Sequence, residues 1–314
     1  MVKYSLKRLV YMIPVTIAVV FIVYLIMYLT PGDPVALMLG AEATPELIQE
    51  TREALGITKP FLTQFTNYVV NLFQGDFGVS WYTGREVAER LFASIPYTLI
   101  LTFSGMFVAL ICSIPMGVMA AVKQNTPVDY IVSVLAICGV SAPSFWVGIM
   151  LILLLAVEFQ LLPSAGIDGW TSYIMPTLTM GFNMLASVTR TQRSSMLEVL
   201  RADYIRTAKA KGVSNFNATY KHALRNAIIP AITVAGINFG TLMAGSVAIE
   251  TVFAIPGVGR LMIDSIKLHD TPTVVGCMVF VALMVSIINL VVDLLYAFID
   301  PRIKAQYIRE GGSK

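Results

Sequence analysis

Residues 9–29 read LVYMIPVTIAVVFIVYLIMYL, a run of 21 positions without one Asp, Glu, Lys, Arg or His. At about 1.5 Å per residue a helix of that length matches the ~30 Å hydrocarbon core of a bilayer. Lys3, Lys7 and Arg8 stand ahead of it. The run is too long for the apolar core of a signal peptide and has no small-x-small cleavage site, so it reads as an uncleaved first membrane helix. Working outward, five more stretches are long and apolar enough to span, at 97–121, 131–157, 174–189, 228–249 and 274–295. The fourth falls short of ~20 residues unless its helix continues through Thr191 and Gln192. The expected fold is all-α: a multi-pass transmembrane helical bundle of six spans.

The composition agrees. Of 314 residues, 56% are hydrophobic and 13% charged, about half the ~25% charge of an ordinary soluble domain. The charges are clumped between apolar runs, so the net charge of +3 says less than where the cations sit. An even number of spans puts both termini on one side, and an inside amino terminus leaves 16 of the 22 Lys and Arg in inside segments. Cations accumulate in cytoplasmic loops, so both termini are expected in the cytoplasm. Cys112, Cys138 and Cys277 each lie alone in an apolar run and read as packing residues.

The outer segment 31–94 carries its own helix signals. Thr44, Pro45 and Glu46 supply a capping hydroxyl, a proline at the first helical position and a first-turn carboxylate, and Gly56 supplies a stop. Phe61, Phe65, Tyr68, Val69 and Leu72 recur at helical spacing, a face for the membrane surface or for the helix bundle.

Between the fourth and fifth spans lies a long ionic segment. Asp203 reads as a cap, followed by Tyr204, Ile205, Arg206, Thr207, Ala208, Lys209, Ala210 and Lys211, and Gly212 ends the helix as a left-handed cap. Ser214 opens a second helix that carries Tyr220, Lys221, Leu224 and Arg225 toward Pro230. Thr207, Ala208 and Ala210 would let another protein approach the backbone closely, ringed by Arg206, Lys209 and Lys211. That face suits docking; a cationic loop serving topology alone is the other reading.

Within the spans, Gly139, Ser141, Pro143 and Ser144 interrupt the third, with Trp146 after them. Such a break lines a polar pathway or is a packing kink. Asn183, Asn238 and Asn289 carry the same two readings, pathway or interhelical hydrogen bond. Pro256, Gly257, Val258, Gly259 and Arg260 read as a tight, glycine-relieved turn leaving the fifth span, a candidate for the outer gate or for contact with a delivering protein.

Several classes are disfavoured. No Gly-rich loop ends in Gly-Lys-Ser or Gly-Lys-Thr, so the chain does not cradle ATP phosphates itself. Glu158, Glu250 and Asp293 lie at or near span ends and no span has an interior ionisable residue, which weighs against an ion-driven secondary carrier or channel. No His-Glu-x-x-His or Gly-x-Ser-x-Gly occurs, which weighs against an intramembrane enzyme. His222 and His269 fall on opposite sides of the expected topology and share no metal.

Arg206-Thr207-Ala208 followed by Gly212 resembles the short cytoplasmic signature of permease subunits in bacterial binding-protein-dependent ABC importers. The run Asp203 to Ala208 with Lys211-Gly212, and His222-Ala223-Leu224-Arg225-Asn226 before Pro230, is similar to the dipeptide, oligopeptide and nickel branch. So are Pro31-Gly32-Asp33-Pro34, Pro143-Ser144-Phe145-Trp146, Leu162-Pro163 with Gly166, Glu250-Thr251-Val252-Phe253 with Pro256 to Arg260, and the ending Asp293-Leu294-Leu295-Tyr296 with Asp300-Pro301-Arg302. Together they look like the first of the branch's two permeases. Arg206 in place of the nominal Glu and the distant Pro230 look normal for that branch.

The resemblance implies the type I ABC importer permease fold in a bacterial inner membrane. It divides the chain into an N-terminal span (1–30), an extracytoplasmic segment (31–94), a core permease domain (95–301) with a coupling loop at about 195–226, and a cytoplasmic tail (302–314). It implies a homologous second permease, two cytoplasmic ATPases that use ATP and Mg, an extracytoplasmic binding protein and the bilayer as partners, and no nucleic acid. Tyr204 to Gly212 becomes the coupling helix. This subunit is then a transport subunit without catalytic residues, cofactor or metal. Dipeptides or oligopeptides are the expected cargo, with nickel or a metal chelate as the alternative.

Overall fold

The computed structural model describes residues 2–40 and 43–299, so the expected tail at 302–314 and the Asp300-Pro301-Arg302 ending lie outside the described residues. In chain order its helices are α1 (Val2–Leu29), α2 (Pro34–Leu39), α3 (Pro45–Ala54), α4 (Phe61–Phe73), α5 (Val87–Val122), α6 (Pro127–Ser141), α7 (Ser144–Leu151) running into a π-helical stretch Ile152–Glu158, α8 (Ile174–Leu200), α9 (Asp203–Ala210), α10 (Asn215–Asn217) running through a π-helical turn Ala218–Ala223 into α11 (Leu224–Val252), α12 (Val258–Lys267) and α13 (Thr271–Ile299). Among the described residues there is no strand, only an isolated bridge between Val79 and Glu86. These residues pack as two compact units: Val2–Leu99 with Ile255–Ile287, and Ile100–Ala254 with the stretch from Ile288 onward.

In the first unit, Thr44 caps α3 by accepting from the Leu47 amide at 3.3 Å, with Pro45 at the first helical position as the sequence leads one to expect. Asp33 and Pro34 repeat that pattern at α2, where Asp33 Oδ1 accepts from the Val35 amide at 3.1 Å. Gly56 takes φ +70° and ends the run after α3. Of the two surfaces open to α4, it takes protein: Phe61, Phe65, Tyr68, Val69 and Leu72 pack on Val20 and Tyr24 of α1 and on Val275 and Val279 of α13.

In the second unit, α8 is the hub, packing against α6, α7 and most extensively α11. Close approach requires small residues at one crossing: a Cβ on Gly181 would sit 2.7 Å from the Gly105 carbonyl oxygen of α5. One face of α8 is therefore shielded by protein, and the helix buries polar Thr177, Thr179, Thr189 and Gln192.

That burial bears on the span count. Among the described residues, four helices are long and apolar enough to cross a membrane: Ser5–Leu29, Val87–Val122, Asn215–Val252 and Thr271–Leu294. The third expected span is instead a pair, Pro127–Ser141 and Ser144–Glu158, bent by 106° at its break, and counts as a fifth only if the pair is one span. The expected fourth lies in α8, a helix of 27 residues that does not meet the same test of length and composition. A helix walled by neighbours needs no apolar circumference.

The 106° bend follows from Pro143. The proline ring disfavours a helical Ala142, which is extended at φ −80°, ψ 129°, and its missing N–H leaves the carbonyl one turn back, on Gly139, without its helical donor.

Candidate functional site

The ionic elbow between α8 and α11 is built much as the sequence implies, with one change. Asp203 is not the cap of α9; Ala202 holds that position, and Asp203 is the first helical residue, where its carboxylate complements the positive end of the helix. Gly212 takes φ +86° just past Lys211, and the Ser214 hydroxyl accepts from the Asn217 amide at 3.3 Å to start the next helix.

Ile205 fixes the elbow to the bundle. It is fully buried among Val118 and Ala121 of α5, Met196 of α8, Ala223 and Ala227, and burying such a side chain is worth roughly 1.5–3 kcal/mol. The Tyr204 hydroxyl accepts a hydrogen bond from Asn226 Nδ2 at 2.8 Å. Arg206, Thr207, Lys209, Ala210 and Lys211 are exposed and Ala208 is half-buried. Sequence reasoning missed an aromatic pair beside this face: the Phe216 and Tyr220 rings lie 4.6 Å apart and are 69% and 45% exposed. Their spacing, four apart in a polar helix, was the available signal.

A second feature is an open-sided cavity of about 260 Å³ in the same unit, walled by Val140, Met184 and Leu242 and carrying the polar groups of Asn183, Ser187, Arg190, Asn238 and Thr241. It brings together two of the expected pathway residues, Asn183 and Asn238. Ser141, Pro143 and Ser144 are not among its walls; the Ser141 hydroxyl instead donates to Ile137 O at 3.0 Å in its own helix. Their break still shapes the site. Asn183 lies 3.1 Å from the Gly139 carbonyl oxygen and 3.3 Å from that of Ala142, and with its amide nitrogen toward them it donates to both. It thereby satisfies the carbonyl that Pro143 leaves without a donor. Across the cavity, Asn238 Nδ2 donates to Ser187 Oγ at 3.1 Å, so both asparagines make interhelical hydrogen bonds and both also line the cavity.

The stretch 256–260 is less glycine-relieved than its sequence suggests. Gly257 is extended at φ −88°, ψ 177° and caps α12, while the left-handed residue is Ala254 at φ 53°. The Val258 amide donates to Thr98 Oγ1 at 2.8 Å. Arg260 Nε lies 3.7 Å from Asp264 Oδ2, one turn on in α12. Pro256 and Gly259 lie on either side of the Gly257 cap, Gly259 buried and Pro256 exposed.

Comparison with known proteins follows the same lines. Residues 113–305 match the family model described as binding-protein-dependent transport system inner membrane component, and residues 1–102 match the model for the N-terminal part of such membrane components. The chain is 41% identical over 304 residues to the glutathione transport system permease protein GsiC of Escherichia coli (strain K12), covering 97% of this chain and 99% of that one. The GsiC proteins of Shigella dysenteriae serotype 1 (strain Sd197) and Salmonella typhi match with the same identity and coverage. Among solved structures, a chain of the MetNI methionine ABC transporter in inward-facing conformations matches with a TM-score of 0.55 at 19% identity, over 67% of this chain and 96% of that one. At that identity the match speaks for the fold alone.

Proposed function

Because the chain belongs to the binding-protein-dependent transport system inner membrane components, it is a permease subunit of an ABC importer in the inner membrane, and we propose that its cargo is a dipeptide or oligopeptide. Family membership implies ATPase and binding-protein partners. The peptide reading is supported by the 41% identity to GsiC, since glutathione is itself a small peptide. A homologous second permease completes the pathway, both termini face the cytoplasm, and ATP and Mg are handled by the ATPase subunits.

The segment Asp203 to Gly212 is the coupling helix in this reading. One observation carries it: Ile205 is fully buried in a cluster drawn from α5, α8 and the start of α11, while Arg206, Lys209 and Lys211 of the same short helix face outward. A push on the exposed side therefore reaches the spans through a packed contact rather than a loose loop. The exposed Phe216 and Tyr220 rings extend the docking face. In the division of the chain, 1–30 anchors, 31–94 is extracytoplasmic, and the core permease domain carries the pathway, with Asn183 and Asn238 in its lining. Pro256 to Arg260 belongs to the outer gate or to the binding-protein contact.

The test is the assembled importer in liposomes, with ATP hydrolysis and tripeptide uptake measured together. Reversing Lys209 and Lys211 to Glu with Ala208→Trp is expected to leave hydrolysis running while uptake falls at least tenfold. Unchanged uptake by that variant sinks the docking role. Absence of peptide uptake by the unmodified importer sinks the cargo.

A further inference from the structure

The cavity beside the break carries more than two asparagines. Asn183, Ser187 and Arg190 stand at i, i+4 and i+7 on α8, and Asn238 and Thr241 at i and i+3 on α11, so each set forms one stripe on its helix. Both stripes line the same open-sided space of about 260 Å³. Arg190 is exposed and differs from its neighbour one turn on: Arg193 is paired with Asp129, whereas Arg190 has no carboxylate partner among the described residues. The cavity contains no acidic side chain to balance it.

The remaining groups are biased toward donation. Ser187 Oγ accepts from Asn238, which leaves the Ser187 hydroxyl proton for a third party. The guanidinium presents five N–H groups in a planar fork, and Thr241 adds a hydroxyl. A fork with unengaged donors at the wall of this open-sided cavity favours a planar oxyanion that accepts two parallel hydrogen bonds. A cation serving topology alone needs none of these companions; its position at the end of a span would suffice.

We propose that Arg190, with Ser187, Asn238 and Thr241 around it, binds the carboxylate of the solute in transit, so that this subunit itself favours cargo with a free carboxyl terminus. The inference rests on the peptide reading above and adds a specificity step separate from the binding protein's. Asn183 holds the break in place and Arg190 meets the charge.

The test removes the binding protein so that its own selectivity does not intrude. The assembled importer in lipid nanodiscs is titrated with radiolabelled Ala-Ala-Ala and with its C-terminal amide, and bound label is counted. The unmodified importer is expected to hold the free acid on the order of tenfold tighter than the amide. Arg190→Gln is expected to abolish that preference, and Arg190→Lys, which keeps the charge and loses the fork, to retain part of it. Co-purification of the ATPases with each variant checks assembly. A preference that survives Arg190→Gln overturns the inference. So does equal binding of acid and amide by the unmodified importer, and if binding-protein-driven uptake of Ala-Ala-Ala persists there, the peptide reading stands while the Arg190 site falls. No uptake of any peptide, binding protein included, overturns both.

Discussion

Arg193 of α8 grips Asp129, near the start of α6, with two parallel hydrogen bonds: Nε to Oδ1 at 2.5 Å and Nη2 to Oδ2 at 2.7 Å. Asp129 also accepts from the Asn125 amide at 3.0 Å, so one buried carboxylate ties the turn before α6 to the later part of the hub helix. Removing one partner leaves the other uncompensated. Asp129→Ala is expected to destabilise this unit by on the order of 2 kcal/mol, below the ~3–5 kcal/mol for breaking a fully buried pair because Arg193 keeps contact with solvent. Thermal unfolding of the detergent-solubilised importer checks it. Exchange of the two residues, Asp129→Arg with Arg193→Asp, should recover part of the loss, and a pair of single variants as stable as the parent would show that the grip contributes nothing.

Ile205 is the internal anchor of the coupling helix. Ile205→Ala removes most of its burial and is expected to cost about 2–4 kcal/mol locally. The local loss matters more than the global one. Hydrolysis should persist with the ATPases still bound while uptake falls, and hydrogen exchange should rise across α9 without spreading to α8. If exchange stays at the parental level, Ile205 does not hold the rod.

Asp270 offers a separate measurement in the other unit. Its carboxylate is 1% exposed, and it accepts from Ser80 Oγ at 2.6 Å, the Trp81 amide at 3.0 Å, Arg90 Nη1 at 3.2 Å and Thr273 Oγ1 at 2.7 Å. Asp270→Ala strands four donors and is expected to cost about 3 kcal/mol or more. Cys277 is buried while Cys112 and Cys138 are exposed, so in a Cys112→Ser, Cys138→Ser background a thiol-reactive dye reads the opening of this unit. Labelling of Cys277 should begin at a lower temperature in the Asp270→Ala protein; an unshifted onset would count against the clamp.

Asp33 supplies a pH dependence outside the spans. Burial would raise its pKa, but the Arg52 guanidinium and the amides of Val35 and Ala36 outweigh that and hold the carboxyl below its usual range. A depressed folded pKa contributes stability that is complete above the unfolded value of about 3.9 and is lost as pH falls through the folded one. Protection of the α2 and α3 amides should therefore exceed that of Asp33→Asn at pH 6, and the difference should vanish well below pH 4. Equal protection at both pH values would remove Asp33 from the account.

The features legible in the sequence are the local ones. The elbow from Tyr204 to Gly212 follows from one glycine and a cationic helix pattern, and the Thr44-Pro45 start follows from cap chemistry. The Asp33-Pro34 start has the same cap chemistry and is just as readable. Packing between distant segments sets the rest. Apolar length along one stretch carries no sign that one face of α8 is covered by protein and free to be polar. Asp129 precedes an apolar run and looks like a loop charge until Arg193, 64 positions on, is placed beside it. The Asn183, Ser187, Arg190 stripe is visible as spacing, but only the juxtaposition of α11 turns spacing into a cavity.

Gln192 yields the last prediction, and its direction is the opposite of the others. Its side chain is fully buried, and neither Nε2 nor Oε1 has a hydrogen-bond partner among the described residues; Thr189 Oγ1, one turn earlier, is in the same condition. The site has no slack, since a Cβ on Gly117 of α5 would meet Gln192 Cβ at 2.7 Å. A desolvated amide without partners costs about 1–3 kcal/mol, and methionine fills nearly the same volume without polar atoms. Gln192→Met is therefore expected to raise the melting temperature of the isolated subunit. If the amide finds partners only when α8 shifts during the transport cycle, the same variant also slows uptake, because it stabilises the conformation described here relative to the other. A lower melting temperature in the isolated subunit would mean that the amide is satisfied in this conformation after all, and would remove the reason to expect any effect on the cycle.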